Sequence, residues 1–155
     1  MDNTPNKYAK GGYIRIASAD KDEFVWSNGL ADIDNSKSLN LSYDINTNVL
    51  DDYDAVSFYI SLVDQKGNET FLVNDSTEYG KKENIDVTDK IADNSHLSNV
   101  SLHIGIHGSG NNLDKMIGIF ASSVSLYNDG SKIDALSFDD ANGALLNNTF
   151  RKNSS

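Results

Sequence analysis

Hydrophobic and polar residues alternate along most of this chain, and segments with a helical period are scarce. In SLNLSYDI (38–45), Leu39, Leu41, Tyr43 and Ile45 fall on one side of an extended backbone, and Asn40, Ser42 and Asp44 fall on the other. That pattern predicts a strand with one buried face. AVSFYISLV (55–63) directs Val56, Phe58, Ile60 and Leu62 inward and Ser57, Tyr59 and Ser61 outward, with β-branched and aromatic residues supporting an extended backbone. The following DQKGNE is a turn into TFLV, which predicts a hairpin.

Similar short segments recur as GYIRIAS near the start, ENIDV (83–87), NVSLHIGI (99–106) and MIGIFASSVSLY (116–127). Turn signals separate them, including Asn128-Asp129-Gly130 and Asn142-Gly143. About eight to ten short strands with polar turns predict an all-β, antiparallel sandwich. One helical turn is expected around VTDKIADNSHL, with Thr88 as its cap. SKIDALSF is expected to pair back on SVSLY, and GALLNNTF to add an edge strand or begin a connection to a neighbouring domain. The chain is thus expected to divide into a flexible, polar N-terminal segment (1–11), a β-sandwich (12–138) and a C-terminal edge strand or linker (139–155).

Length and charge narrow the functional classes. A chain of 155 residues suits a single core. Its 13 basic and 23 acidic side chains give a net charge of -10, which opposes nucleic-acid binding because that affinity comes from neutralising phosphate. No apolar run approaches the roughly 20 residues of a spanning helix, and MDNTPNKYAKGG lacks the apolar stretch of a signal peptide. No membrane partner is expected. Without cysteine there is no disulfide, thiolate zinc site or cysteine nucleophile, and the redox compartment stays open. Asn-x-Ser/Thr triplets at Asn68, Asn99 and Asn147 follow in part from the abundance of Asn and Ser.

Two of the three histidines lie in VSLHIGIHGSG. On a helix, His103 and His107 would share a face and could hold one metal ion. Strand alternation instead buries Val100, Leu102, Ile104 and Ile106 and sets the two rings roughly 13 Å apart, too far for one zinc ion or for proton transfer. The face they occupy is more informative. Ser57, Tyr59 and Ser61 on one strand, Ser101, His103 and Gly105 on another, and Ser123 and Ser125 on a third are small or hydrogen-bonding residues. Such a face suits a saccharide, whose hydroxyls take directional hydrogen bonds and whose C–H patches stack on rings; the plain alternative is a solvated sheet face. In DEFVWSNG, Phe24 and Trp26 share one side of a strand that ends at Ser27-Asn28-Gly29, so Trp26, the single tryptophan, is either core or a platform at a loop edge. Tyr13, Tyr53 and Tyr79 near loops are weaker candidates of the same kind.

Acidic residues cluster at Asp20, Asp22 and Glu23, at Asp32 and Asp34, and at Asp51, Asp52 and Asp54. A structural calcium ion is the one cofactor such loops could take, with Asp20 and Asp22 as candidate ligands, although no twelve-residue EF-hand pattern is present and runs of this kind are usually solvated surface. No cofactor is required by anything in the sequence. No GxSxG, P-loop or dinucleotide fingerprint occurs, so no catalytic residues are assigned and the chain is not expected to be an enzyme.

The segments YDAVSFYISLVDQKGNETFLV, ENIDVTDKI, LSNVSLHIGI and MIGIFASSVSLY, in that order, resemble the galactose-binding-like jelly roll of non-catalytic carbohydrate-binding modules over about residues 12–127. Tyr53, Asp54, Val56 and Phe58, then Ile85, Val87 and Thr88, then Leu102 and Ile104, and finally Leu126 and Tyr127 occupy the matching positions. The resemblance implies a jelly-roll sandwich that binds cell-surface or cell-wall polysaccharide, with Trp26, Tyr59, His103, Ser57, Ser101 and Ser123 as candidate contacts. The Asn-rich, cysteine-free composition is similar to modules on tail and baseplate proteins of phages that infect Gram-positive bacteria, which implies host adhesion, an extracellular or virion location and other subunits of a larger assembly as partners. Two alternatives remain open: a structural or protein-interaction domain that binds no sugar, and an accessory module of a secreted glycoside hydrolase.

Overall fold

The alternating segments fold as strands. The computed structural model describes residues 14–18, 23–27, 29–47, 57–106, 117–136 and 149–151. Its strands are β1 (Ile14–Ser18), β2 (Glu23–Trp26), β3 (Leu39–Thr47), β4 (Phe58–Val63), β5 (Glu69–Ser76), β6 (Gly80–Asp86), β7 (Ser101–Ile106), β8 (Ile117–Asn128), β9 (Ser131–Lys132) and β10 (Thr149–Arg151). One sheet runs β1-β8-β3-β6 with β9 added to β8, and the other runs β10-β2-β7-β4-β5. All the pairings among the described residues are antiparallel. The chain is an all-β sandwich. No helix among the described residues is long and apolar enough to cross a membrane.

The core lies between the sheets. Leu39, Leu41, Tyr43 and Ile45 of β3 face Phe58, Ile60 and Leu62 of β4 and Leu102 and Ile104 of β7, all of them buried. Removing one of these aliphatic side chains costs about 2–5 kcal/mol, since close packing leaves a cavity that neighbours only partly fill. Tyr43 reaches through this layer, and its hydroxyl donates to the Glu78 carbonyl at 2.8 Å. Burial pushes its phenol pKa up, and the nearby Glu78 carboxylate adds to the effect.

The outer strands β5 and β6 are both bulged. Opposite Phe58 and Ile60, β5 carries an extra residue at Asp75, and opposite Leu41 and Tyr43, β6 carries one at Asn84, whose N–H donates to the Ser42 hydroxyl at 3.0 Å. Both bulge residues have left-handed backbones, as do Asp93, Asn99 and Asp129. Asp and Asn tolerate that region better than other side chains, so this sequence's wealth of them has a backbone use. Such bulges twist an outer strand away from edge-to-edge pairing.

Three expectations change. β4 is covered on both faces: Tyr59 and Ser61, expected outward and open, are as buried as Phe58 and Ile60. Thr88 begins a 3-10 turn (Thr88–Lys90) but does not cap it; its hydroxyl accepts from the Leu39 N–H at 3.0 Å and donates to Asp86 at 2.6 Å, tying the turn to β3. SKIDALSF pairs back on β8 as expected, through Ser131, Lys132 and an Ile133 N–H bond to the Leu126 carbonyl at 2.9 Å, but then turns into a 3-10 segment, Asp134–Leu136, that buries Leu136. Asp20, Asp22, Asp51, Asp52, Asp54, His107, Tyr13, Tyr53 and Val56, with the terminal segment 1–11, lie outside the described residues.

Candidate functional site

The site is built from the outward face of β2 and β7. Alternation puts Phe24 and Trp26 on one side of β2, and Ser101, His103 and Gly105 on one side of β7. The antiparallel register then sets Trp26 opposite His103 and Phe24 opposite Gly105. Ser27, buried just after Trp26, fixes this register: its N–H donates to the Leu102 carbonyl at 2.9 Å, and its hydroxyl accepts from the Leu102 N–H at 3.0 Å. The end of β2 is thereby locked, and Trp26 cannot slide along β7 without breaking both bonds.

The rings form a shelf. The His103 imidazole stacks on Phe24 with centroids 4.9 Å apart and planes 14° apart, and Trp26 lies 5.6 Å from Phe24 and 6.1 Å from His103. The Ser101 hydroxyl and His103 Nε2 are hydrogen-bonded at 3.0 Å, which fixes the direction of the imidazole. Beside the shelf is a depression of about 340 Å³, lined by these rings and Ser101 and closed on its far side by Val63, Asp64 and Gln65. This lies in the size range of small-ligand sites, roughly 300–1,000 Å³, and combines apolar rings with a few polar groups.

Asp64 is the charged group of this wall. It opens the β4–β5 turn, in which Gly67 takes a left-handed backbone. Its carboxylate accepts from the N–H of Lys66 at 2.9 Å, the N–H of Asn68 at 2.8 Å and the Asn68 amide at 2.9 Å, and lies 3.8 Å from His96 Nδ1. The Asn68 side-chain hydrogen bond, with help from the Asn68 and Lys66 N–H groups and the His96 charge, holds its pKa below the ordinary aspartate value. Asp64 is therefore a fixed, ionised acceptor at neutral pH.

Three of the sequence candidates come together here: Trp26, His103 and Ser101. The others do not. Tyr59 belongs to the same sheet face but is buried, its ring lying over Gly105 and edge-on to Phe71 at 5.6 Å. Ser57 precedes β4 at the end away from Val63 and donates to Asp75 at 3.2 Å. Ser123 is exposed on β8, opposite Asp44 of β3, in the other sheet. Candidate calcium ligands Asp20 and Asp22 lie outside the described residues, and among those described no group of three or more His, Asp or Glu is placed to hold a metal ion. Sequence reasoning missed Ser27, Asp64 and Gln65, reading the last two only as parts of a turn.

No protein-family model matches the chain, and no curated protein matches it significantly.

Proposed function

We propose that this chain is a non-catalytic carbohydrate-binding module of the galactose-binding-like jelly-roll kind, which takes a neutral cell-surface or cell-wall polysaccharide at the groove beside Trp26 and His103. The observation that carries the reading is the ring shelf itself: the half-buried rings of Trp26 and His103 share one face, backed by the buried ring of Phe24, with Ser101, Gln65 and Asp64 within the same depression. Rings stack on the C–H faces of a sugar, and the polar groups select the direction of its hydroxyls. An ionised Asp64 favours hydroxyl donors and repels carboxylated sugars, which makes the preferred ligand neutral.

Binding without chemistry fits the same carboxylate. Glycoside hydrolysis requires one carboxyl held protonated as the general acid. Asp64 is shifted the other way. Affinity for one copy is expected to be weak and to rise when many copies are displayed together, as on a phage tail or baseplate, the setting the composition suggests.

Trp26, the single tryptophan, stands in the groove, so its intrinsic fluorescence reports on the site without a label. Titration with millimolar neutral glycans from cell walls and storage polymers should change that emission saturably. A complete panel that leaves both the emission and the amide spectra of Trp26 and His103 unmoved sinks the proposal.

A further inference from the structure

A second depression, of about 270 Å³, adjoins the first across the β4–β5 turn. Both are lined by Asp64 and Gln65, so these two residues stand between them. The two halves differ in chemistry. The first presents rings; the second presents Lys66, Asn68, Ser95, His96, Ser98 and Asn99, with no aromatic carbocycle.

The polar half is held firmly. The Asn99 N–H donates to Asp32 at 2.8 Å, Ala31 and Val100 exchange two backbone hydrogen bonds, and the Ile33 N–H donates to the Leu97 carbonyl at 2.9 Å. On its other side the Asn94 side chain accepts from the His96 N–H at 2.7 Å and donates to Thr70 at 2.8 Å. Asn99 is one of the residues with a left-handed backbone, and Gln65 Nε2 approaches its carbonyl at 3.5 Å. The loop before β7 is thus anchored from two sides, while His96 itself is more than half exposed.

We infer that the two depressions are one groove for an extended glycan chain, with one sugar ring on the Trp26–His103 shelf and the following units in the polar cleft of His96 and Asn99. The inference rests on the carbohydrate-binding reading and extends it from a single ring to a chain interior. From Trp26 through His103 to β4 the groove already crosses two strand spacings, about 10 Å, before it reaches the turn. A ligand of one ring would leave the anchored polar cleft unfilled.

The test uses the full chain and homo-oligomers of glucose, xylose, mannose, galactose and N-acetylglucosamine, one to six units long, titrated by calorimetry. For the series that binds, affinity should rise about tenfold between one unit and three or four, the yield of one or two net hydrogen bonds. Ser98→Ala together with Asn99→Gly, both confined to the second depression, should abolish that rise and leave the single-unit affinity unchanged, with amide spectra reporting an intact fold. Affinity that does not depend on length, or a length dependence that survives the double variant, overturns the two-part groove while leaving sugar binding intact. Failure of every series to bind overturns the carbohydrate reading itself, and this inference with it.

Discussion

The ring of Tyr59 lies over Gly105, its partner across the β4–β7 ladder, so closely that a Cβ at position 105 would overlap the phenol. A glycine opposite an aromatic residue lets the ring fold flat onto the neighbouring strand instead of standing out to solvent. This contact is why a tyrosine on the outward face is buried. Gly105→Ala is expected to cost about 1–3 kcal/mol by overpacking. Adding Tyr59→Leu should restore part of the loss, so the double variant should be more stable than the two single effects together predict. Urea unfolding midpoints of the three variants check this; strict additivity would show that the two residues do not press on one another.

The groove makes unequal demands on its rings. Trp26→Ala should weaken binding of a neutral oligosaccharide about thirtyfold, ~2 kcal/mol, as removal of an aromatic anchor does. Trp26→Phe should recover most of it because stacking survives. Ser123→Ala, in the other sheet, should change nothing. Calorimetry on the three variants separates these outcomes, and equal affinity for Trp26→Ala and the parent chain would remove the shelf from consideration.

Acid should act through Asp34, Asp64 and Asp86, each of which has its pKa lowered by hydrogen bonds, foremost the side-chain bonds from Ser36, Asn68 and Thr88 respectively. A carboxyl whose folded pKa lies below its unfolded value stabilises the fold fully above the unfolded value, about 3.9, and loses that contribution as pH falls through the lower folded value. Stability should therefore be level with respect to these three groups from pH 5 to 7 and decline below about pH 4. Asp64→Asn should be less stable than the parent at pH 6, and the gap should close as the pH falls below that point. Unfolding curves at several pH values test it; a gap that widens in acid would contradict the assignment.

Removing residues 141–155 deletes β10, which pairs Thr149, Phe150 and Arg151 with Val25, Phe24 and Glu23. The strand that carries Phe24 and Trp26 would then become the edge of its sheet. Truncation is expected to weaken glycan binding by several-fold and to speed amide exchange in β2, as measured by hydrogen exchange. Unchanged exchange in β2 after truncation would show that β10 does not brace it.

Much of this fold is legible in the alternation of β3, β7 and β8, where one side of each strand is apolar and buried. Alternation reports which residues share a face. It does not report whether that face is covered, and β4 shows the difference: Tyr59 folds onto Gly105 and the Ser61 hydroxyl donates to Glu69 at 2.6 Å, so both vanish from the surface. Nor does it say which sheet a strand joins, and so Ser123 resembled Ser101 in sequence although β7 and β8 lie in opposite sheets. His103 was legible as an outward residue and Trp26 as either core or a platform; their meeting depends on a register set by strands distant in sequence. Asp64, Gln65, His96 and Asn99 belong to two polar loops, DQKGN and DNSHLSN, whose approach follows only from the adjacency of β4 and β7.

The left-handed residues Asp75, Asp93 and Asp129 carry a consequence for the molecule's electrostatics. Their backbones require a residue that tolerates a positive φ, and Asn meets that demand as well as Asp does. Replacing all three with Asn would remove three of the ten net negative charges while leaving the same turns in place. Part of the chain's acidity is then incidental to its folding, and its isoelectric point can be tuned separately from its architecture.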